Sequence, residues 1–300
     1  MRLLVTGLKG QVVTALMERA AADSTLTVLP VGRPDLDLAA PGDLAERFRA
    51  HAPDAIVSAA AYTAVDQAET ETQLAFAINR DGAGAIASAA AKLGVPVIHL
   101  STDYVFDGTK ATPYVETDPV APTSAYGRSK QEGEEAVSAA TADHVILRTA
   151  WVYAAEGKNF LRTMLRLAAT RQEIGVVADQ HGTPTYAPDI AAAVVQVARN
   201  LRAEPTNGDL RGVFHMCGSG EATWASFADA IFRESSARGG PSAIVRPITT
   251  ADYPTPACRP ANSRLDCSRL RSRHSMTLPH WTEALTRCMD RLQQQGTLSP

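Results

Sequence analysis

Through the first 150 residues, short β-branched apolar runs alternate with alanine-rich stretches whose apolar positions recur at the helical period. The pattern predicts strands at 2–6, 26–31, 55–58, 95–100 and 144–148. It predicts helices at 11–22, 43–51 and 126–139, with one or two more over 71–93. Strands that read as continuous apolar runs and alternate with helices belong to a parallel sheet covered on both faces.

Beyond residue 150 the alternation loosens. Helices are expected at 159–170, 188–201, 223–235 and 281–295, and strands at 174–178 and 213–216, while the Pro- and Arg-rich stretch 246–273 reads as largely irregular. The expected fold class is α/β: a Rossmann-type, doubly wound parallel sheet with a smaller, discontinuous C-terminal substrate-binding part. Residues 1–150, plus parts of 175–215, would form the dinucleotide-binding domain, and 151–300 mainly the substrate-binding part.

Composition narrows the function classes. The chain has 300 residues, 45% of them apolar, and a formal net charge of −3. Mild acidity argues against nucleic acid as a partner, because phosphate binding calls for a basic face. No stretch approaches the ~20 apolar residues of a membrane span, and the opening MRLLVTG is too short an apolar run for a signal peptide. A cytoplasmic enzyme with no membrane partner is expected. Cys217, Cys258, Cys267 and Cys288 show no C-x-x-C spacing and no nearby histidine pair, so free thiols and no metal are expected.

Gly7-Leu8-Lys9-Gly10-Gln11-Val12-Val13 follows the first strand at once and opens a helix. Such a turn aims backbone N–H groups and the positive helix end at a pyrophosphate. Gly7, Gly10, Gln11 and Val12 are therefore candidate cofactor residues. The third glycine of the usual spacing is replaced by Val13, which implies a slightly wider approach of helix to strand. The second strand ends Val31-Gly32-Arg33, with no carboxylate to hold a ribose 2′-hydroxyl. Arg33 suits a 2′-phosphate, so NADPH is the expected cofactor and NADH the alternative, in which Arg33 simply faces solvent.

Tyr126 and Lys130 stand four apart at the start of a predicted helix, on one face. A lysine ammonium beside a tyrosine favours the phenolate, which makes the phenol a better proton donor to a developing alkoxide. Upstream, Ser101-Thr102-Asp103-Tyr104-Val105-Phe106 ends the fourth strand, and in an open parallel sheet ligands sit at the carboxyl ends of strands. Thr102 is placed to polarise a substrate carbonyl.

These stretches, with 59–66, 122–127, 148–153, 179–185 and 259–265, resemble in order the dTDP-4-dehydrorhamnose reductase family of extended short-chain dehydrogenase/reductases. The resemblance spans nearly the whole chain. It implies reduction of the C4 ketone of a nucleotide-linked deoxysugar, with Thr102, Tyr126 and Lys130 as catalytic residues and Lys130 also holding the nicotinamide ribose. It further implies that Asp37 and Leu38 lie near the adenine, that Ala60, Ala61 and Thr63 line the cofactor cleft, and that Asp103, Tyr104 and Trp151 line the sugar pocket. Ala15 stands where some members carry a metal-binding glutamate, with Glu18 nearly one turn on, so a monomer or weak homodimer is expected rather than a metal-bridged dimer.

Other readings stay open at this point. Trp151 suits a sugar platform or a core equally. Arg259 and Arg264 are candidates either for a substrate diphosphate or for tying down a long loop. His181, in the shaped loop 179–185, is assigned no acid–base role. The same catalytic set would serve a reductase of another 4-keto deoxysugar nucleotide, and a non-catalytic NADP-binding regulatory subunit would keep the fold without needing the three residues.

Overall fold

The computed structural model describes residues 1–298. Its first half runs β1 (Arg2–Thr6), α1 (Gln11–Ala21), β2 (Thr27–Val31), α2 (Leu44–Arg49), β3 (Ala55–Ser58), α3 (Thr72–Phe76), α4 (Ala83–Leu93), β4 (Val97–Thr102), α5 (Ala125–Ala140) and β5 (His144–Thr149). The second half adds β6 (Val152–Tyr153), α6 (Phe160–Ala168), β7 (Glu173–Val177), β8 (His181–Gly182), β9 (Thr185–Tyr186), α7 (Ala187–Ala203), β10 (Gly212–His215), β11 (Ala222–Thr223), α8 (Trp224–Ala237), β12 (Ile244–Ile248), α9 (Ser268–His274) and α10 (Trp281–Gln294).

Six strands form one wholly parallel sheet in the order β2-β1-β3-β4-β5-β10. Alternation of side chains sends Leu3, Val5 and Val57 to a core shared with α1 and α7, while Leu4, Ile56 and Val97 face α2, α4 and α5. The strands are buried on both sides, which is why they read as unbroken apolar runs. Pro30 interrupts β2 without cost to the sheet because β2 is its edge strand. A separate core gathers α6, α8, α10 and β7. Among the described residues no helix is long and apolar enough to cross a membrane.

One sequence expectation is met in a particular form and another needs revising. The stretch 71–93 is one continuous helical run, in which a π-helical turn (Ala77–Gly82) joins α3 to α4. The stretch 246–273 is more ordered than expected. It holds the end of β12, paired in parallel with β7, then a 3₁₀ turn at Thr250–Asp252, and then α9. Pro247 hides the strand pattern but is tolerated in a two-stranded ribbon. The short arginine-rich α9 buries only Leu270 and His274, too few positions to show a period.

Candidate active site

The strand order reverses between β1 and β3, and the crevice at such a point, beyond the carboxyl ends of the strands, is where ligands bind in open α/β sheets. A cleft of about 770 Å³ lies there. Gly7, Gly10, Gln11 and Val12 form one wall, and Ala60, Ala61 and Thr63 after β3 form the next. Thr102, Asp103 and Tyr104 at the end of β4, Tyr126 and Lys130 of α5, and Trp151 complete it. A smaller cavity of about 450 Å³ shares Gly7, Ala60 and Ala61 and extends past Arg33, Asp37 and Leu38. The catalytic, cofactor and sugar-pocket candidates from Gly7 to Trp151 thus all line one of two adjoining cavities.

The glycine turn has the features a dinucleotide needs. Gly7 holds φ +107°, a conformation other residues rarely adopt. Gly10 caps α1 with no side-chain hydrogen bond, and the first turn carries no acid, so its N–H groups face the cleft uncapped. The Thr6 hydroxyl accepts from the amides of Ala59 and Ala60, both at 3.1 Å, and so fixes the β3 loop beside the turn. Val13 is buried directly against Gly7, filling the space beneath the turn. Arg33 is exposed and makes no hydrogen bond or ion pair among the described residues. These residues fit a nicotinamide dinucleotide, with the pyrophosphate at the end of α1.

The polar centre lies at the end of β4. The Thr102 hydroxyl donates to Asp103 Oδ1 at 3.0 Å and accepts from the Tyr104 amide at 3.2 Å. The Tyr126 ring meets Tyr104 edge-on at 5.6 Å. Burial pushes the Tyr126 phenol well above its ordinary value, Thr102 pulls it back, and Asp103 and Tyr104 add to the rise. Burial also drives the Lys130 ammonium down to about 8, against the pull of Glu134. The ammonium donates to the Leu100 carbonyl at 2.7 Å and meets His99 Nε2 at 3.2 Å. His99, backed by Ser58 at 3.0 Å, is kept neutral by burial and by Lys130 itself. Asp103 is pushed up to about 6 by burial, opposed by hydrogen bonds from Ser263 and Thr102. Asp103 Oδ2 and Thr149 Oγ1 are buried without partners, and both residues line the cleft. Orphaned polar atoms there mark a place for a polar ligand.

Residues that the sequence reading passed over hold this arrangement. Asn79, in the π-helical turn, accepts from the Tyr62 amide at 2.8 Å and donates to the Ser129 hydroxyl at 2.9 Å, so it ties the β3 loop to α5 beside Lys130. Glu134 and Arg148 form a buried ion pair at 2.7 Å, joined by Ser101. Asn159 caps α6 and donates to Gln11 at 2.9 Å, joining the two halves across the cleft. Asn159 had a readable signal, a capping residue before an apolar helix; the others are polar groups in apolar surroundings whose partners are distant in sequence.

The remaining candidates separate clearly. Trp151, at φ +49°, lines the cleft and stacks on Trp224 with centroids 3.5 Å apart. Gly182 is needed beneath it, since a Cβ there would stand 2.4 Å from the indole. Arg259 reaches the cleft, bound to Asp66 at 2.7 Å and to the Tyr104 hydroxyl at 3.2 Å. Arg264 lies outside the cleft and ties Glu221, Asn262 and the Ala111 carbonyl. His181 is exposed and joins the 261–263 segment through its backbone. Ala15 is buried, and Glu18 pairs with Arg291 at 2.7 Å.

Residues 1–294 match the family model described as the RmlD substrate binding domain. The dTDP-4-dehydrorhamnose reductase of Sinorhizobium fredii is 53% identical, covering 99% of each chain. The chain belongs to the dTDP-4-dehydrorhamnose reductase family. Solved members of that family share the fold in full. The Clostridium acetobutylicum dTDP-4-dehydrorhamnose reductase superposes with a TM-score of 0.89 at 36% identity, covering 98% of this chain and 100% of its own. The Bacillus anthracis dTDP-4-dehydrorhamnose reductase, solved in complex with NADP, gives 0.89 at 33% identity, covering 97% and 99%. As a member of this family the chain is an oxidoreductase.

Proposed function

We propose that this chain reduces the C4 ketone of dTDP-4-dehydro-L-rhamnose to the alcohol of dTDP-L-rhamnose, using NADPH. The observation that carries the reading is the meeting of Thr102, Tyr126 and Lys130 with the glycine turn in one cleft. The full-length match to reductases of that name, one of them holding NADP, supports substrate and cofactor. Residues 1–150, with parts of 175–215, serve the dinucleotide, and the remainder of 151–300 receives the nucleotide sugar.

Gly7, Gly10, Gln11 and Val12 would hold the pyrophosphate, Asp37 and Leu38 the adenosine end, Arg33 a 2′-phosphate, and Ala60, Ala61, Thr63 and Lys130 the nicotinamide side. When bound, the cofactor supplies a hydride to C4. Tyr126 enters the reaction as a phenol, which its burial enforces, and delivers its proton to the oxygen of the former ketone. The Thr102 hydroxyl would redirect its one proton from Asp103 Oδ1 to the same oxygen and polarise it. Lys130, one turn further along α5, would ease loss of the Tyr126 proton by favouring the phenolate when protonated. Asp103, Tyr104 and Trp151 border the sugar.

The test is oxidation of NADPH followed at 340 nm with dTDP-4-dehydro-L-rhamnose generated in situ, beside NADH and a control without sugar. Rapid sugar-dependent loss, with a lower KM for NADPH than for NADH, is the expected result. NADPH binding without turnover would overturn the substrate assignment, and a KM for NADH at or below that for NADPH would overturn the role of Arg33.

A further inference from the structure

Two of the four cysteines meet, although they are 50 positions apart. Cys217 follows β10 and is buried; Cys267 precedes α9 and is partly exposed. The Cys217 amide donates to the Cys267 sulfur, 3.3 Å away, and the Cys267 thiol in turn donates to the Leu265 carbonyl at 3.7 Å. Both residues line a surface cavity of about 430 Å³, distinct from the cleft. Cys288 is buried in the second core and Cys258 is exposed, and neither forms such a contact among the described residues.

Cys267 ends a strap that borders the reactive centre. In residues 257–267, the Ala257 amide and Arg259 hold Asp66, and Arg259 also holds the Tyr104 hydroxyl. A sugar that takes the Tyr104 hydroxyl as a partner must compete with Arg259 for it. We propose that Cys217 and Cys267 are a redox-active dithiol, oxidised to a disulfide by low-molecular-weight disulfides, that locks this strap over the sugar side of the cleft.

The chemistry follows from the contact. Cys267 is the more accessible residue, and its contact with Cys217, whose amide donates to it, holds its thiol below the ordinary range, while Cys217 is held above it. The Cys267 thiolate attacks one sulfur of the small disulfide, forming a mixed disulfide and expelling one thiolate, which takes up a proton. Cys217 then loses its proton and attacks the Cys267 sulfur, expelling the second thiolate. Two protein thiols are oxidised by two electrons, and one small disulfide is reduced to two thiols. The bridge closes the chain between the edge strand of the sheet and the strap, which restricts the unfolded ensemble and stiffens the strap.

The test uses the full chain treated with glutathione disulfide, alkylated and digested with trypsin. Peptides 212–233 and 265–269 carry Cys217 and Cys267 separately from the other two cysteines. The expected result is these two peptides joined, a Tm raised by several degrees, and a KM for the sugar raised at least threefold, all reversed by dithiothreitol. Cys267→Ser should give the same Tm and KM with and without oxidant. Recovery of both peptides unlinked, when Cys258 is fully modified, overturns the dithiol. Linked peptides with unchanged Tm and KM overturn the lock. The effect on KM rests on the proposed reductase activity; linkage and Tm are read without substrate, so failure of the two readings is distinguishable.

Discussion

Single residues in the cleft are held in states they would not adopt in water. Asp103 is the clearest case: burial raises its carboxyl to about 6, so ionising it in the folded chain is harder than in the unfolded one. The folded state therefore binds the extra proton between the ordinary carboxylate range and about pH 6. That stabilises the fold at low pH, and the advantage is lost as pH rises through the interval. Asp103→Asn removes the charge and should raise stability at pH 7 by about 1–3 kcal/mol, with the gain shrinking towards pH 4. Thermal melts at the two pH values check it; equal gains at both would refute the assignment. Tyr126 is the second case. Tyr126→Phe keeps the ring and its contact with Tyr104 but removes the only proton the mechanism delivers. Turnover should fall by about 10²–10⁴ with little change in NADPH affinity, measured by steady-state kinetics and by titration of cofactor fluorescence. Both positions were legible in the sequence, because a tyrosine and lysine one turn apart and hydroxyls at a strand end are local patterns. The partners that set their protonation were not. His99 under Lys130 and Ser263 beside Asp103 are brought there only by the fold.

At the scale of elements, α5 carries Tyr126 and Lys130, the pair proposed to react, and its position is decided by two close approaches. Gly127 lets the helix start against the Tyr104 carbonyl, and Gly133 lets it pass the π-helical turn, where a Cβ would fall 2.1 Å from the Asn79 carbonyl oxygen. Backbone does not yield as a flexible side chain does. Gly133→Ala must push α5 away from that turn and should cost about 3 kcal/mol or more, read from the urea midpoint. It should also slow turnover, because Asn79 fixes the β3 loop against Ser129, one position before Lys130. A variant as stable as the parent would show that the turn adapts. The strands and long helices of the first half were readable because each buries a repeating set of apolar positions. The π-helical turn was not, since one extra residue per turn leaves an alanine-rich stretch looking uniformly helical. β12 and α9 were missed for the opposite reason: each buries too little to show a period.

For the whole molecule, two cores have to act as one around the cleft. The main sheet is completed by β10 and covered by α7, both from the second half of the chain, while α6, α8 and α10 pack in their own cluster. Polar ties cross between them: Asn159 to Gln11, Arg287 to Asp189, and Arg291 to Glu18, while Arg291 also holds Glu156 within the second core. These ties were not readable from sequence order, because each joins residues at least 98 positions apart. A dinucleotide in this cleft would touch the α1 turn and the loop before α6, so its binding free energy should stabilise both cores together. At a free concentration a hundredfold above its Kd, NADP⁺ should add about 2.7 kcal/mol. The chain should melt in a single transition that moves up by several degrees. Differential scanning calorimetry with and without NADP⁺ reads this directly. Two transitions, only one of them moved by the cofactor, would mean that the ties across the cleft do not couple the halves, and that the second core melts without regard to what the first one holds.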